Sequence, residues 1–290
     1  MKAHLSPIVA GMWRLPQWKL DTPALARWIG QALDLGITSF DHADIYGGYG
    51  VEAAFGDALA AAPGLRDRMQ IVTKCGIRLV SPARPAHAIK SYDTSHGHVV
   101  ASVENSLRVL RTDRIDLLLI HRPDALMDPD ELAETFRGLQ RSGKVLQVGV
   151  SNHSPSQFAA LHRRVPLSTN QVEFSPLNLG ALSDGTLEQA TDLGLSPMAW
   201  SPLGGGRLFA PGDEAARRVR DVLEAQGRAR GVSAATMAYA WILRHPSQPL
   251  PITGSLRIEA VREAVAALSI RITPEDWYRV WEASMGHGVA

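Results

Sequence analysis

Between positions 41 and 46 the chain places Asp41, His42, Asp44 and Tyr46, directly after the apolar, β-branched run "LGITSF". Further along, Lys74 closes the run "IVTK" and His121 closes "IDLLLIH". A phenol, an ammonium, a carboxylate and an imidazole at strand ends can together deliver a proton to a carbonyl oxygen. A lysine there is costly to bury without a counter-ion, and Asp41 on the neighbouring strand is the natural one. An ammonium beside a phenol favours the phenolate. Lys74 is therefore expected to lower the pKa of Tyr46 from its ordinary value of about 10 and make it a better acid near neutral pH. The plain alternative is a polar loop that caps the next helix.

Which elements would bring these residues together? Short β-branched runs alternate with helix-period segments along the whole chain, the pattern of a parallel α/β fold. Strands are expected at 7–13, 37–43, 69–76, 115–121, 145–152, 169–174, 197–203 and 250–255, with helices at 23–35, 51–61, 99–110, 129–142, 155–163, 184–193 and 259–267. Thr22, Ser154 and Ser183 are candidate helix caps. Eight strand–helix units over 290 residues fit a single (β/α)8 TIM barrel, residues 1–290, better than an open doubly wound sheet. Three segments exceed what a barrel needs and are candidate lids: 77–95 after the third strand, 204–232 after the seventh, and a helical tail at 274–290. Asp41, Lys74, His121, Ser151 with Asn152, Ser201, and Gly254 with Ser255 all fall at the same end of different strands, and Gln171 lies within "NQVEF". Polar groups so placed converge on one mouth.

Composition narrows the partners. With 45% hydrophobic and 20% charged residues the chain can bury a sizeable core. The formal charge is +1, and no basic run is interleaved with aromatics, so neither nucleic acid nor a membrane surface is indicated and the partner is expected to be a small molecule. The segment "MKAHLSPIVAGMW" lacks an apolar leader core, and we expect a cytoplasmic protein. Cys75 is the sole cysteine, which excludes an internal disulfide and reads as a small buried side chain.

In order along the chain, "GITSFDHADIYGGYG", "IVTKCG", "RIDLLLIHRPD", "SGKVLQVGVSN", "NQVEFSPL", "AWSPLGGGRL" and "LPITGS" resemble the aldo-keto reductase superfamily, and within it a bacterial branch of oxidoreductases. The resemblance implies reduction of an aldehyde or ketone to an alcohol by hydride from NADPH. Carried over by position, Tyr46 would be the general acid, Lys74 would tune it, Asp41 would hold Lys74, and His121 would orient the carbonyl and share the proton relay. Ser151, Asn152 and Gln171 would bind the nicotinamide carboxamide, and Trp200 would stack on its ring. Gly11, Met12 and Trp13 would close the first strand beside that ring. Ser201, Leu203, Gly204 and Arg207 would follow the pyrophosphate, and Gly254, Ser255 and Arg257 the adenosine phosphate. Ala260 stands where many members carry the arginine that contacts the 2′-phosphate, and Ala264 where an amide is common. That leaves NADH open beside NADPH, with Arg257 and Arg262 as the available cations.

Other readings have less support. His42, Asp44, Lys74 and His121 suggest a metallohydrolase, but the HxH pair and late-strand Asp of such a barrel are missing. His96 and His98 follow Ser95 at a helix start, where histidines are usually solvated. Arg122 is expected to pair with Asp124 in "HRPD", and Asp44 to be a supporting hydrogen-bond group. The glycines of "GGYG" and "GGG" do not form a GxGxxG after a first strand; residues 204–206 read as a flexible clamp. A Schiff-base role for Lys74 fits poorly with the adjoining Tyr, Asp and His. A rival class is a nucleotide-binding accessory or redox-sensing barrel with slow turnover; it needs the cofactor groups but not all four of Asp41, Tyr46, Lys74 and His121. The oligomeric state is open.

Overall fold

The computed structural model describes residues 2–290. The apolar runs become eight parallel strands: β1 (Val9–Gly11), β2 (Ser39–Asp41), β3 (Gln70–Cys75), β4 (Ile115–Ile120), β5 (Val145–Ser151), β6 (Asn170–Glu173), β7 (Met198–Trp200) and β8 (Leu250–Thr253). Each pairs with its sequence neighbours, and β1 also pairs with β8, with Val9 opposite Ile252, so the sheet closes into a barrel. Several strands are shorter than the runs that announce them. Closing a barrel tilts and staggers its strands, so only the overlapping residues complete the ladder.

Side chains alternate in and out along a strand, and here that alternation builds the site. Val9, Val72, Leu117, Leu119, Met198 and Ile252 fill the barrel interior as one buried cluster. Two residues beyond Val9, Val72, Leu119 and Met198 stand Gly11, Lys74, His121 and Trp200; two beyond Ser39 stands Asp41. The last inward position of each strand therefore lies at the C-terminal mouth. Gly11 has no room for a side chain: a Cβ there would meet Ile252 Cγ2 at 2.7 Å.

The helices between strands cover the barrel: α1 (Leu15–Trp18), α2 (Thr22–Asp34), α3 (Val51–Ala61), α4 (His96–Leu110), α5 (Pro129–Arg141), α6 (Pro155–His162), α7 (Thr186–Asp192), α8 (Glu214–Arg228), α9 (Ala234–Leu243), α10 (Ile258–Ala266) and α11 (Pro274–Met285). Ser154 caps α6 in a full capping box. The other two expected caps are displaced. Asp21, not Thr22, caps α2, leaving Thr22 and Pro23 in the first turn. α7 begins after Gly185 in a left-handed conformation, with Asp184 rather than Ser183 accepting from the Thr186 amide. The segment after β7 holds a whole extra helix, α8.

The tail is not a lid. α11 packs on the outer wall, where Trp277 stacks on Trp241 at 4.9 Å and their indole N–H groups bond each other's backbone carbonyls, while Arg218 of α8 donates to the Ala283 carbonyl. The buried apolar faces of α8 and α9, with Val219, Leu223 and Trp241, rather than a site, are what this helix covers. Residues after β3 do reach the mouth, as a small antiparallel hairpin pairing Ile77 with Tyr92 and Arg78 with Ser91. No helix among the described residues is long and apolar enough to cross a membrane.

Candidate active site

Lys74 points from β3 into the top of the barrel and is fully buried. Its ammonium donates to Asp41 Oδ2 at 2.8 Å, to the His42 carbonyl at 2.7 Å and to the Tyr46 hydroxyl oxygen at 3.0 Å. These three bonds use all its protons. The second Asp41 oxygen accepts from Gln171 Nε2 at 2.8 Å, so the buried ion pair is satisfied on both sides. Burial opposes the charge on Lys74, but Asp41 and Tyr46 outweigh it and its pKa is raised.

Tyr46 opens a short 3₁₀ turn after β2. The next residue, Gly47, has φ 59°, and a Cβ there would lie 2.9 Å from Pro16 Cγ, so only glycine holds this turn against α1. Lys74 does act to lower the Tyr46 pKa, as expected, but the net shift is upward. Burial of the phenol raises it, and the opposing effect of Lys74 is only partial. The consequence is a phenol that stays protonated at neutral pH with its oxygen held by a cation: a loaded proton donor rather than a phenolate. His121 lies edge-on to Tyr46, ring centroids 5.9 Å apart. Burial, with Lys74, Arg122 and Lys90 nearby, depresses its pKa well below the usual imidazole range, so the ring is neutral and has one N–H to donate.

Above these groups opens a cleft of about 1010 Å3. Its floor is Asp41, Tyr46 and His121, flanked by Trp13, Ile45 and Trp200; Ser151, Asn152, Gln171, Ser201 and Leu203 line the wall, and Gly254, Ser255, Arg257 and Ala260 lie beyond β8. Asn152 and Ser201 adopt φ of 57° and 53°. Left-handed non-glycine residues are uncommon and cluster at functional sites; here they terminate β5 and β7 at the cleft wall. Asn152 Nδ2 donates to Ser151 Oγ and Asn152 Oδ1 accepts from Trp200 Nε1 at 3.1 Å, which fixes the indole. Gly204, Gly205 and Gly206 are all left-handed, and Gly205 and Gly206 border the cleft without side chains. A long cleft with a flat aromatic, hydrogen-bonding groups at one end and an arginine at the other suits an extended dinucleotide with room for a small substrate.

Three expected cofactor residues are oriented otherwise. The Met12 side chain is buried in the core, and its amide donates to the Asp41 carbonyl, tying β1 to β2. Gly204 is buried against Leu177. Arg207 pairs with Asp213 at 2.6 Å, the N-cap of α8, instead of entering the cleft. The Arg122–Asp124 pair does not form: Asp124 bonds Thr94 Oγ1 and the Leu126 amide, while Arg122 lies over Trp200. Sequence reasoning missed Arg14, whose guanidinium donates to the Gly205 carbonyl at 2.6 Å across the cleft, and Tyr239, Lys90 and Glu263 in its lining. Only the position of Arg14 just past the first strand could have pointed to it; Tyr239 and Glu263 sit on helices and carry no such mark.

Behind the tetrad is a buried polar layer. Glu52 accepts from Thr73 Oγ1 and Ser106 Oγ, linking α3, β3 and α4 beside Lys74. The Asp44 amide donates to the Lys74 carbonyl, and burial raises the pKa of its carboxyl well above the ordinary range. His42 is wholly buried, edge-on to Phe55, with neither ring nitrogen bonded, and burial lowers its pKa to about 3.

The molecule is thus a closed eight-stranded parallel barrel with Tyr46, Lys74, Asp41 and His121 clustered at its C-terminal mouth. The model of the Aldo/keto reductase family matches residues 7–284, and the chain belongs to that family. It is 51% identical to the oxidoreductase YdhF of Escherichia coli over 289 residues, covering 99% of this chain and 96% of that one. It is 44% identical to a 6-dehydroglucose reductase of Agrobacterium fabrum, covering 100% and 97%. Among solved structures, a glycerol dehydrogenase from Gluconobacter oxydans superposes with TM-score 0.85 at 26% identity, covering 98% of this chain and 92% of that one. An aldo/keto reductase from Klebsiella pneumoniae in complex with NADP and acetate superposes with TM-score 0.76 at 28% identity, covering 94% and 89%.

Proposed function

We propose that the protein reduces an aldehyde or ketone to an alcohol with NADPH, and that Asp41, Tyr46, Lys74 and His121 carry the reaction. The observation that supports this most is the Lys74 ammonium bonded at once to Asp41, the His42 carbonyl and the Tyr46 oxygen at the floor of the cleft. The cofactor supplies the hydride that adds to the carbonyl carbon. Ser151 and Asn152 hold the carboxamide, Trp200 packs against the ring, and Arg257 meets the adenosine phosphate; Gln171 lines the wall while holding Asp41. The neutral His121 N–H positions the carbonyl oxygen. As that oxygen gains negative charge, the Tyr46 O–H gives it a proton. Lys74 then faces a phenolate it already touches, so its charge stabilises the donor most when the proton has left. Bulk water restores the phenol proton when product departs.

A nucleotide-sensing role would leave Tyr46 and Lys74 without a task, so the enzyme reading is preferred. The Klebsiella pneumoniae neighbour in complex with NADP supports the phosphorylated cofactor. Titrating tryptophan fluorescence with NADPH and NADH, then adding 4-nitrobenzaldehyde, tests this. Quenching through Trp13 and Trp200, tighter for NADPH, with loss of reduced-nicotinamide absorbance, is expected. Failure of both nucleotides to bind would refute it.

A further inference from the structure

The floor of the cleft carries more positive charge than the proposed chemistry uses. Arg122 follows His121, and its Cζ lies 5.8 Å from the centroid of the Trp200 ring, an indole itself fixed by Asn152. Lys90 lines the same half of the cleft from the loop that precedes Ser91, where the hairpin after β3 anchors it. Neither makes an ion pair among the described residues: Asp124 is taken by Thr94 and the Leu126 amide, and Asp93 by Ser95 and Arg78. Asp41, the acid at the floor, is committed to Lys74. Of the other two lining acids, Glu224 is engaged by Arg220 and Arg228, and Glu263 sits on α10, which Arg257 precedes. The substrate half thus has two uncommitted cations.

Arginine presents a planar fork that matches carboxylate and phosphate oxygens, and lysine a mobile point charge. Charge-assisted bonds are about twice as strong as neutral ones; Arg122 is half-buried, where salt screens less, while Lys90 is exposed and adds a more screened charge. We propose that Arg122 and Lys90 select a carbonyl substrate bearing an anionic oxygen group, a carboxylate or phosphate, on the chain beyond its reacting carbon. This rests on the reductase reading. Arg122 and Lys90 would bind the anion while Tyr46 and His121 engage the carbonyl, so the two ends of the substrate fix its orientation.

The test compares kcat/KM in matched pairs: succinic semialdehyde against butanal, and glyceraldehyde 3-phosphate against glyceraldehyde, with 4-nitrobenzaldehyde as reference. In the unaltered protein the anionic member is expected to lead by about tenfold or more, through KM, and the lead to shrink in 0.5 M salt. Arg122→Met and Lys90→Met should each cut that anionic-to-neutral ratio about tenfold, in line with loss of one charge-assisted contact. Equal rates within pairs, or glyceraldehyde preferred whatever its charge, would mean that hydroxyls or shape are read instead and would overturn the proposal. So would ratios unmoved by either substitution. If the reference aldehyde is reduced but no pair shows a charge preference, only this proposal falls; if nothing is reduced, the reductase reading falls with it.

Discussion

At the scale of single residues, the interactions of one ammonium organise the chemistry. Lys74 would be untenable in the barrel without Asp41, and Tyr46 would be an ordinary buried phenol without Lys74. Sequence alone made the Asp41–Lys74 pair legible, because a charged strand end needs a counter-ion. It did not give the sign of the Tyr46 shift, since the desolvation that decides it depends on how closely β2, β3 and β4 pack around the hydroxyl. His42 belongs to the structure rather than the chemistry, sealed against Phe55. Its neutral form is held in the folded state to a pKa of about 3, whereas an unfolded histidine takes up a proton below about pH 6.5. Stability from this residue is therefore full above pH 6.5 and lost as pH falls toward 3. Substituting His42→Leu should leave urea stability at pH 7.5 unchanged or higher, and at pH 5 give an advantage over the parent larger by about 2 kcal/mol. An identical difference at both pH values would show that His42 titrates in the fold as it does in the unfolded chain.

At the scale of elements, eight strand runs could be read from β-branched composition because the barrel buries both faces of its strands. The extents of its outer helices were less visible. The segment after β7 holds α8, whose apolar face of Ala216, Val219 and Leu223 is periodic but outnumbered by arginines and acids, so a reading by composition passes over it. The tail reads as a candidate lid because it exceeds what a barrel needs, whereas Trp277 and Trp281 at helical spacing read as packing, and packing is what Trp277 does. Its work is structural: α11 covers α8 and α9 through the Trp241–Trp277 stack and reciprocal indole bonds. Trp277→Ala should cost about 3 kcal/mol by loss of packing. Thermal melting should register a drop of about 5–10 °C, while NADPH affinity stays unchanged because none of residues 274–290 lines the cleft. A loss of nucleotide binding at full stability would place the tail in the site after all.

At the scale of the whole molecule, the fold places one polar residue from each of several strands into a common mouth and leaves the long connections to form the walls. Period-2 alternation makes the floor legible from the sequence: once Val72, Leu119 and Met198 are interior, Lys74, His121 and Trp200 must face the mouth. The walls were not legible in this way. Arg14 reaching Gly205, and Arg122 turning to Trp200 instead of Asp124, depend on loop paths with no periodicity to read. The proposed function turns on Tyr46 acting as the proton donor and not as a binding group. NADPH affinity and single-turnover reduction of 4-nitrobenzaldehyde are compared in the parent and in Tyr46→Phe. Affinity within about threefold is expected, with a rate lower by about 10²–10⁴, the usual contribution of a general acid. A rate within tenfold of the parent, or an equal loss of rate and affinity, would contradict it.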